Sequence, residues 1–184
     1  MPDHPIPPAR YPALTRSLHW IVALMILATI PIGNFMTVQG LSRPVQDLMF
    51  ILHKNGGVVI LLLVLLRILW RLLRPAPPLP AHVPQWQSVA AQWMHRLLYA
   101  ALIVMAASGY VRVRAGGFPV EMLDALGLPT LVPRSDALAE AAKSVHATAK
   151  FLLVALILGH VGAALRHLVA RDAVFDRIWP PVGR

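Results

Sequence analysis

Four long runs of apolar side chains, separated by short polar or proline-rich stretches, dominate the pattern of this chain. They cover roughly residues 18–36, 50–70, 93–111 and 145–165. Because about 20 apolar residues of helix cross the ~30 Å hydrocarbon core of a bilayer, each run predicts one membrane-spanning helix. The pattern therefore predicts an all-α integral membrane four-helix bundle that forms a single domain over residues 1–184.

The connections between these runs differ in composition. RPAPPLPAHVP at 74–84 predicts a stiff, extended linker, because proline ends helices and favours polyproline II. The long loop at 112–144 contains VEMLDAL, which predicts a short helix, and SDALAEAAKS, which predicts the start of the fourth span. The first run lacks a small-residue cleavage site, so we expect a retained helix rather than a signal peptide.

Composition and charge narrow the class of protein. The chain is 57% hydrophobic and 14% charged, with a mean hydropathy of +0.62, which excludes an ordinary soluble domain. The net charge of +9 does not indicate nucleic-acid binding, because the basic residues lie at helix ends and do not interleave with aromatic residues. The sequence has no cysteine, which excludes disulfides, thiolate-ligated haem, cysteine-ligated iron–sulfur clusters and covalent CxxCH haem attachment.

The basic residues also predict an orientation. Ten of the 17 Lys and Arg residues lie in the N-terminal tail, the 71–92 connection, the C-terminal tail and the adjoining helix ends. By the positive-inside rule both termini are then cytoplasmic, and the 112–144 loop lies outside. The first and third spans run outward, and the second and fourth run inward.

Histidines at membrane depth carry information, because polar groups there are costly and usually face the bundle interior. Of the eight histidines, His4 and His82 fall in the tail and the linker. In the predicted orientation the others fall at two levels or at the inner interface: His53 and His146 outside; His19, His95 and His160 inside; His167 at the interface. The 14-residue separation of His146 and His160 is nearly four turns, about 21 Å of rise, so these two share one helix face at two heights.

Paired imidazoles at two levels are typical of stacked b-type haems. Two neutral imidazoles from different helices supply both axial bonds, and the macrocycle fills a slot between helices. At the inner level His19 and His95 are alternatives opposite His160. Small residues near these histidines would let helices or a flat ring approach closely: Gly56, Gly57, Gly159, Gly162, Ala163 and Ala164.

Other interpretations of the same residues stay open. Each histidine alone could serve as an interfacial hydrogen-bonding group, and the glycines could serve helix packing only; the four-position pattern favours haem ligation. A zinc site is less favoured, because the histidines are split between levels without a carboxylate in the spans. The lack of acidic residues in the predicted spans also counts against a histidine-rich transporter.

Several segments together resemble the prokaryotic cytochrome b561 family. They are RYPALTRSLHW, SRPVQDLMFILHKNGGVVILL, RPAPPLPAH, WMHRLLYAAL and KSVHATAKFLLVALILGHVGAALRHLVARDAVFDRIWP. The last is the most specific, since it joins an H-x13-H spacing to H-x6-H. The resemblance implies a four-helix protein with two haem b groups, the inner one held by His19 with His160 and the outer one by His53 with His146.

The resemblance also implies an activity and a location. The family includes superoxide oxidases, so we expect a multi-pass protein of the bacterial inner membrane, surrounded by lipid, that passes electrons from a periplasmic donor such as superoxide to ubiquinone. Lys54, Lys150 and Arg112 are candidates for steering the anionic radical, with headgroup anchoring as the alternative. His95 and His167 are candidates for quinone or propionate contacts. The alternative function is the membrane-anchor subunit of a larger dehydrogenase or hydrogenase, which would have a protein partner.

Overall fold

Four long helices make up most of the computed structural model, which describes residues 10–80 and 82–180. They are α1, α2, α3 and α5, with a short α4 and a final 3-10 turn: Ala13–Phe35, Arg43–Leu73, Gln85–Ala115, Asp136–Ala170, Glu121–Ala125 and Phe175–Arg177. Each long helix is long and apolar enough to cross a membrane. The predicted all-α membrane four-helix fold is confirmed. His4 and both chain ends lie outside the described residues.

Each long helix begins before its predicted span, so the predicted boundaries were too narrow. A hydropathy pattern marks only the residues at hydrocarbon depth, whereas the helical backbone continues through polar turns. Proline and serine set the true starts: α1 follows Pro12, α3 follows Pro84, and α5 is capped by Ser135, whose Oγ accepts a hydrogen bond from the Leu138 N–H at 3.3 Å. At about 1.5 Å per residue, the 35 residues of α5 exceed the hydrocarbon thickness.

The connection predicted at 112–144 is shorter in the structure. Helix α3 runs to Ala115 and α5 begins at Asp136, which leaves 116–135. The short helix predicted in VEMLDAL is present as α4, and SDALAEAAKS does begin the last span. The described part of the 74–84 linker contains neither helix nor strand.

Packing leaves one side of the bundle open. Helix α3 packs along α5, α1 packs against α2, and α2 also packs against α3. Within the described residues, no Cα of α5 lies within 8 Å of α1 or α2. A small core of Val22, Ile60 and Val64 is buried, while apolar side chains such as Leu24 face outward, 63% exposed. The outward faces suit lipid, and the opening suits a flat group between helices.

The two ends of the bundle are held differently, and we name them after the predicted orientation. At the inner end the C-terminal segment folds back on α1: the Tyr11 N–H donates to the Arg177 carbonyl at 3.1 Å, and Trp20 Nε1 donates to the Ile178 carbonyl at 3.0 Å. The Arg177 guanidinium also donates to the Pro77 carbonyl in the linker. At the outer end, the 116–135 connection and α4 cover α2 and α3.

Candidate haem sites

His53 on α2 and His146 on α5 face one another at the outer end. Their ring centroids are 6.2 Å apart and their planes are inclined by 80°. Two imidazoles that bind one iron axially, each with a metal–nitrogen bond of ~2.0 Å, have centroids about 6.3 Å apart. The outer pair, His53 and His146, therefore has the spacing that a bis-histidine haem requires.

At the inner end His19 on α1 faces His160 on α5 with the same separation. The ring centroids are 6.2 Å apart and the planes are inclined by 72°. His95 on α3 is closer to His160, with centroids 5.4 Å apart, which is too short for two rings on opposite sides of one iron. The geometry therefore favours His19 over His95 in the inner pair, His19 and His160.

Backbone carbonyls orient both rings of the outer pair. His53 Nδ1 lies 3.2 Å from the Thr29 carbonyl of α1, and His146 Nδ1 lies 2.9 Å from the Met105 carbonyl of α3. A carbonyl only accepts, so each Nδ1 carries the proton and donates it. This tautomer leaves the Nε2 lone pair for a metal, and the site draws on all four long helices.

Two glycines make room for the rings of the outer pair. A Cβ added at Gly33 would lie 2.5 Å from His53 Cε1, and one at Gly109 would lie 3.1 Å from His146 Cε1. The first contact is closer than Cβ atoms approach, so glycine is needed where α1 meets His53; the second is tight and requires the His146 ring to shift by a few tenths of an ångström. The sequence did not single out either position, since only the tertiary structure brings each glycine opposite its histidine.

The glycines that the sequence did single out lie in roomier places. A Cβ at Gly57 or Gly162 would meet nothing within 4 Å, one at Gly56 would lie 3.6 Å from Thr29 Oγ1, and one at Gly159 would lie 3.4 Å from Met94 Cε. The glycines that crowd His53 and His146 therefore lie on neighbouring helices, because a sequence neighbour on the same helix does not face the ring. The role of Gly56, Gly57, Gly159 and Gly162 beside a bound macrocycle stays a prediction.

A cavity of about 1210 Å³ surrounds the outer pair. It is larger than the ~300–1,000 Å³ of usual ligand pockets. Lys54, Arg112 and Lys150 all line it, so the three predicted steering residues share one cavity with the outer pair. Within the described residues, no group of three or more His, Cys, Asp or Glu side chains could hold a bare metal ion.

Comparison with known proteins decides the family. The family model described as prokaryotic cytochrome b561 matches residues 10–181. The chain belongs to the prokaryotic cytochrome b561 family. The predicted resemblance is confirmed, and membership makes this chain a membrane electron-transfer protein of a family that binds haem b.

Similar proteins cover nearly the whole chain. "Cytochrome b561 homolog 2" of Escherichia coli K12 is 28% identical over 173 residues, covering 93% of this chain and 92% of that protein. "Cytochrome b561 homolog 1" of the same organism is 27% identical over 164 residues, covering 89% and 93%. The "probable superoxide oxidase CybB" of Yersinia pestis is 28% identical over 179 residues, covering 93% and 96%.

In this cytochrome b561 the charge of Lys54 is already paired. Its ammonium donates to Glu121 of α4 and, at 2.8 Å, to the Pro119 carbonyl, and its side chain is 13% exposed. Burial raises the pKa of the Glu121 carboxyl, but hydrogen bonds from Lys54 and Asn55 outweigh it and hold the pKa below its ordinary value. Glu121 is therefore ionised at neutral pH and offsets the lysine.

The other outer-end cations have different surroundings. Lys150 Nζ donates to Asn34 Oδ1 at 3.3 Å, and Arg112 forms no hydrogen bond or ion pair through its side chain with the described residues. Arg114 is buried and forms a two-pronged ion pair with Asp124 of α4, at 3.1 and 2.5 Å. This arginine clamps α4 rather than facing an incoming anion.

The inner pair has a charged neighbour. Arg67 Nη2 lies 3.2 Å from His19 Nδ1. A guanidinium only donates, so here Nδ1 accepts and the neutral ring carries its proton on Nε2, opposite to the outer pair. For His19 to bind iron through Nε2, this contact with Arg67 must give way so that the proton moves to Nδ1. The Arg67 guanidinium also lies over the Tyr99 ring, 5.7 Å from its centroid.

His167 ties the end of α5 to the segment that follows it. Its Nδ1 lies 2.5 Å from Asp172 Oδ2, and the Val174 N–H donates to Asp172 Oδ1 at 3.2 Å. The chain reverses between them at Arg171, which is left-handed with φ 51°. Burial raises the pKa of the Asp172 carboxyl, but the hydrogen bond from His167 helps to outweigh it, so the pKa is lowered. The sequence predicts His167 at the membrane interface. In the structure its contact with Asp172 holds the segment that follows α5 against the end of that helix.

Proposed function

We propose that this cytochrome is a di-haem oxidoreductase that passes electrons from superoxide at the outer end to ubiquinone. The observation that carries the proposal is the pair of histidine pairs, each with ring centroids 6.2 Å apart, at two levels of one bundle. Two bis-histidine b-type haems supply one-electron transfer when bound and leave no axial position open for oxygen or peroxide. Two superoxide ions each lose one electron and become dioxygen, and ubiquinone takes up both electrons with two protons as ubiquinol.

The protein contributes position and tautomer to the haem ligands. We assign His53 with His146 to the outer site and His19 with His160 to the inner site. At the outer site the Thr29 and Met105 carbonyls hold each Nδ1–H, which fixes the ring and would leave the Nε2 lone pair to bind an iron. A macrocycle held by these histidines would fit the open side between α5 and the α1–α2 pair.

Arg112 and Lys150 are the best candidates for attracting superoxide. Both line the outer cavity, and no carboxylate pairs with either within the described residues. Lys54 faces the same cavity, but Glu121 compensates its charge. We therefore assign Lys54 a smaller role in steering, and a larger one in holding α4. The similarity to a probable superoxide oxidase of Yersinia pestis supports this choice of donor.

The remaining assignments follow the charge pattern. We place the cytochrome in the bacterial inner membrane with both termini in the cytoplasm, so that the outer cavity opens to the periplasm. His95 beside the inner pair and His167 at the end of α5 are the candidates for quinone or propionate contacts. In this orientation electrons cross most of the bilayer between the two levels.

Superoxide kinetics test the steering residues. We expect Arg112→Gln with Lys150→Gln to slow haem reduction by superoxide about tenfold at low salt and to weaken its salt dependence, because an anion is no longer attracted to the cavity. Lys54→Gln should slow it less. Arg134→Gln is the matched control, since Arg134 is exposed near the outer end but does not line the cavity. An unchanged rate in the double variant would refute steering.

One observation favours the second candidate function, a membrane-anchor subunit of a larger complex. The outer connection exposes large apolar side chains: Phe118 by 65%, Leu126 by 67% and Leu131 by 81%. A periplasmic partner subunit could cover them. Purification in mild detergent distinguishes the two functions. A stable, haem-loaded chain without a partner that superoxide reduces supports the oxidase, and a stoichiometric periplasmic partner supports the anchor.

A further inference from the structure

A second cavity, of about 550 Å³, lies at the inner end between the ends of α2 and α3 and the proline linker. We call it the basic cavity, after the three arginines that line it together with His95: Arg71, Arg96 and Arg177. Its described lining contains no Asp or Glu. A concave site with several guanidinium groups and no carboxylate attracts an anion.

The arginines of the basic cavity are held in different ways. Arg177 is buried, donates to the Pro77 carbonyl and lies over the Tyr11 ring, 5.2 Å from its centroid. Arg96 lies over the Trp93 ring at 5.0 Å. Arg71, in the last turn of α2, makes no hydrogen bond or ion pair with the described residues. Arg177 therefore holds the linker side of the cavity in position, while the guanidinium N–H groups of Arg71 and Arg96 can donate to a ligand.

Neutral polar groups complete the site. Ser88 and Gln92 line it from α3, with Gln92 Nε2 3.5 Å from Ser88 Oγ, and Tyr99 adds a phenol. Guanidinium groups bind phosphate oxygens through paired N–H donors. A neutral quinone does not need a cluster of cations, so this lining suits a phosphate better than a quinone.

The position of the cavity favours a lipid headgroup as the source of the phosphate. The cavity opens where α2 and α3 reach the ends of their apolar spans, the depth of lipid headgroups. Leu72 lines it, is 75% exposed, and offers apolar surface to an acyl chain, as do the linker prolines. Basic pockets between membrane helices at the cytoplasmic side commonly bind anionic headgroups.

We propose that the basic cavity binds the phosphate of an anionic phospholipid, with Arg71 and Arg96 as its phosphate-binding side chains. The bound lipid joins the end of α2, the start of α3, the linker and the C-terminal segment into one unit. This site is independent of the electron donor, so it stands whether or not superoxide is the substrate.

Lipid titration of the delipidated, haem-loaded cytochrome tests this proposal. The probes are dioleoyl phosphatidylglycerol and dioleoyl phosphatidylcholine, read by the thermal unfolding midpoint and by lipid adducts in native mass spectrometry. We expect the anionic lipid to raise the midpoint and to remain bound at much lower concentration than the neutral lipid. The double variant Arg71→Gln with Arg96→Gln should weaken anionic-lipid binding at least tenfold and leave the neutral lipid unaffected.

Arg74→Gln is the matched control, since Arg74 ends α2 at the same level but does not line the cavity. If the double variant does not fold, Arg96→Gln alone serves, because Arg96 is exposed. Equal binding of the two lipids, or anionic-lipid binding unchanged in the double variant, overturns the proposal. Two further measurements would identify a different ligand and also overturn the proposal. In one, inorganic phosphate binds as tightly as the lipid; in the other, a short-chain ubiquinone displaces the lipid.

Discussion

The outer and inner histidine pairs have the same ring separation but opposite surroundings. In the outer pair, His53 and His146, each Nδ1–H points to a main-chain carbonyl. In the inner pair, His19 Nδ1 faces the guanidinium of Arg67 instead. Main-chain carbonyls accept from both outer rings, and Ser108 Oγ lies 3.3 Å from His146 Nδ1, whereas the His19 ring faces a charged side chain. Equal spacing in one bundle therefore does not make two equivalent redox sites.

Removal of single histidines separates the two sites most strongly. We expect His53→Ala or His146→Ala to remove one haem and leave the other, and His19→Ala or His160→Ala to remove the second, because each haem loses one of two axial ligands. Haem quantification and optical spectra of the purified variants measure this. His95→Ala is the control and should keep both haems; loss of a haem there would contradict the inner pairing.

A glycine substitution should damage the outer site alone. Gly33→Ala places a Cβ 2.5 Å from His53 Cε1, so the ring must move from its position opposite His146. We expect outer-haem occupancy to fall by at least half and the inner haem to stay. Gly56→Ala is the matched control on α2, because Gly56 does not line the outer cavity and its Cβ would lie in ordinary contact, 3.6 Å from Thr29 Oγ1. Equal effects of the two substitutions would show that the crowding does not matter.

Arg67 should give the inner haem a higher midpoint potential than it would have without this cation. A nearby cation stabilises the reduced iron, whereas a carbonyl acceptor makes its imidazole a stronger donor and stabilises the oxidised iron. Arg67→Gln should therefore lower the inner midpoint potential, by about 59 mV for each tenfold change in the one-electron equilibrium. A spectroelectrochemical titration measures both haems. A shift of the outer haem, or no shift, would contradict the assignment.

Acid should loosen the outer end through its carboxylates. The pKa of Glu121 and that of Asp124 are lowered in the folded protein, the latter chiefly by the hydrogen bond from Arg114. Groups with a lowered folded pKa stabilise at neutral pH, and this stability is lost as pH falls below about 4. We expect hydrogen exchange in α4 to rise several-fold on acidification. Glu121→Gln should raise the hydrogen-exchange rate of α4 already at pH 7. Unchanged exchange would show that these ion pairs contribute little to holding α4.

The sequence predicts the features of this molecule that depend on helical periodicity and on the length of apolar segments. Apolar runs located the four spans, and helical spacing placed His146 and His160 on one face, because both features are local. The partner of Lys54 lies 67 residues away in α4, so no local pattern reveals that its charge is offset. The same holds for Gly33 and for the Thr29 carbonyl, which matter only because α1 passes His53 in the folded bundle.

The most direct test of the central claim is a count of haem in the purified protein. The claim is that each histidine pair holds one b-type haem, so a pyridine haemochrome assay combined with protein quantification should give two b haems per chain of 20.2 kDa. The reduced-minus-oxidised spectrum should contain two components that titrate separately. A single haem per chain, or none, would contradict the account.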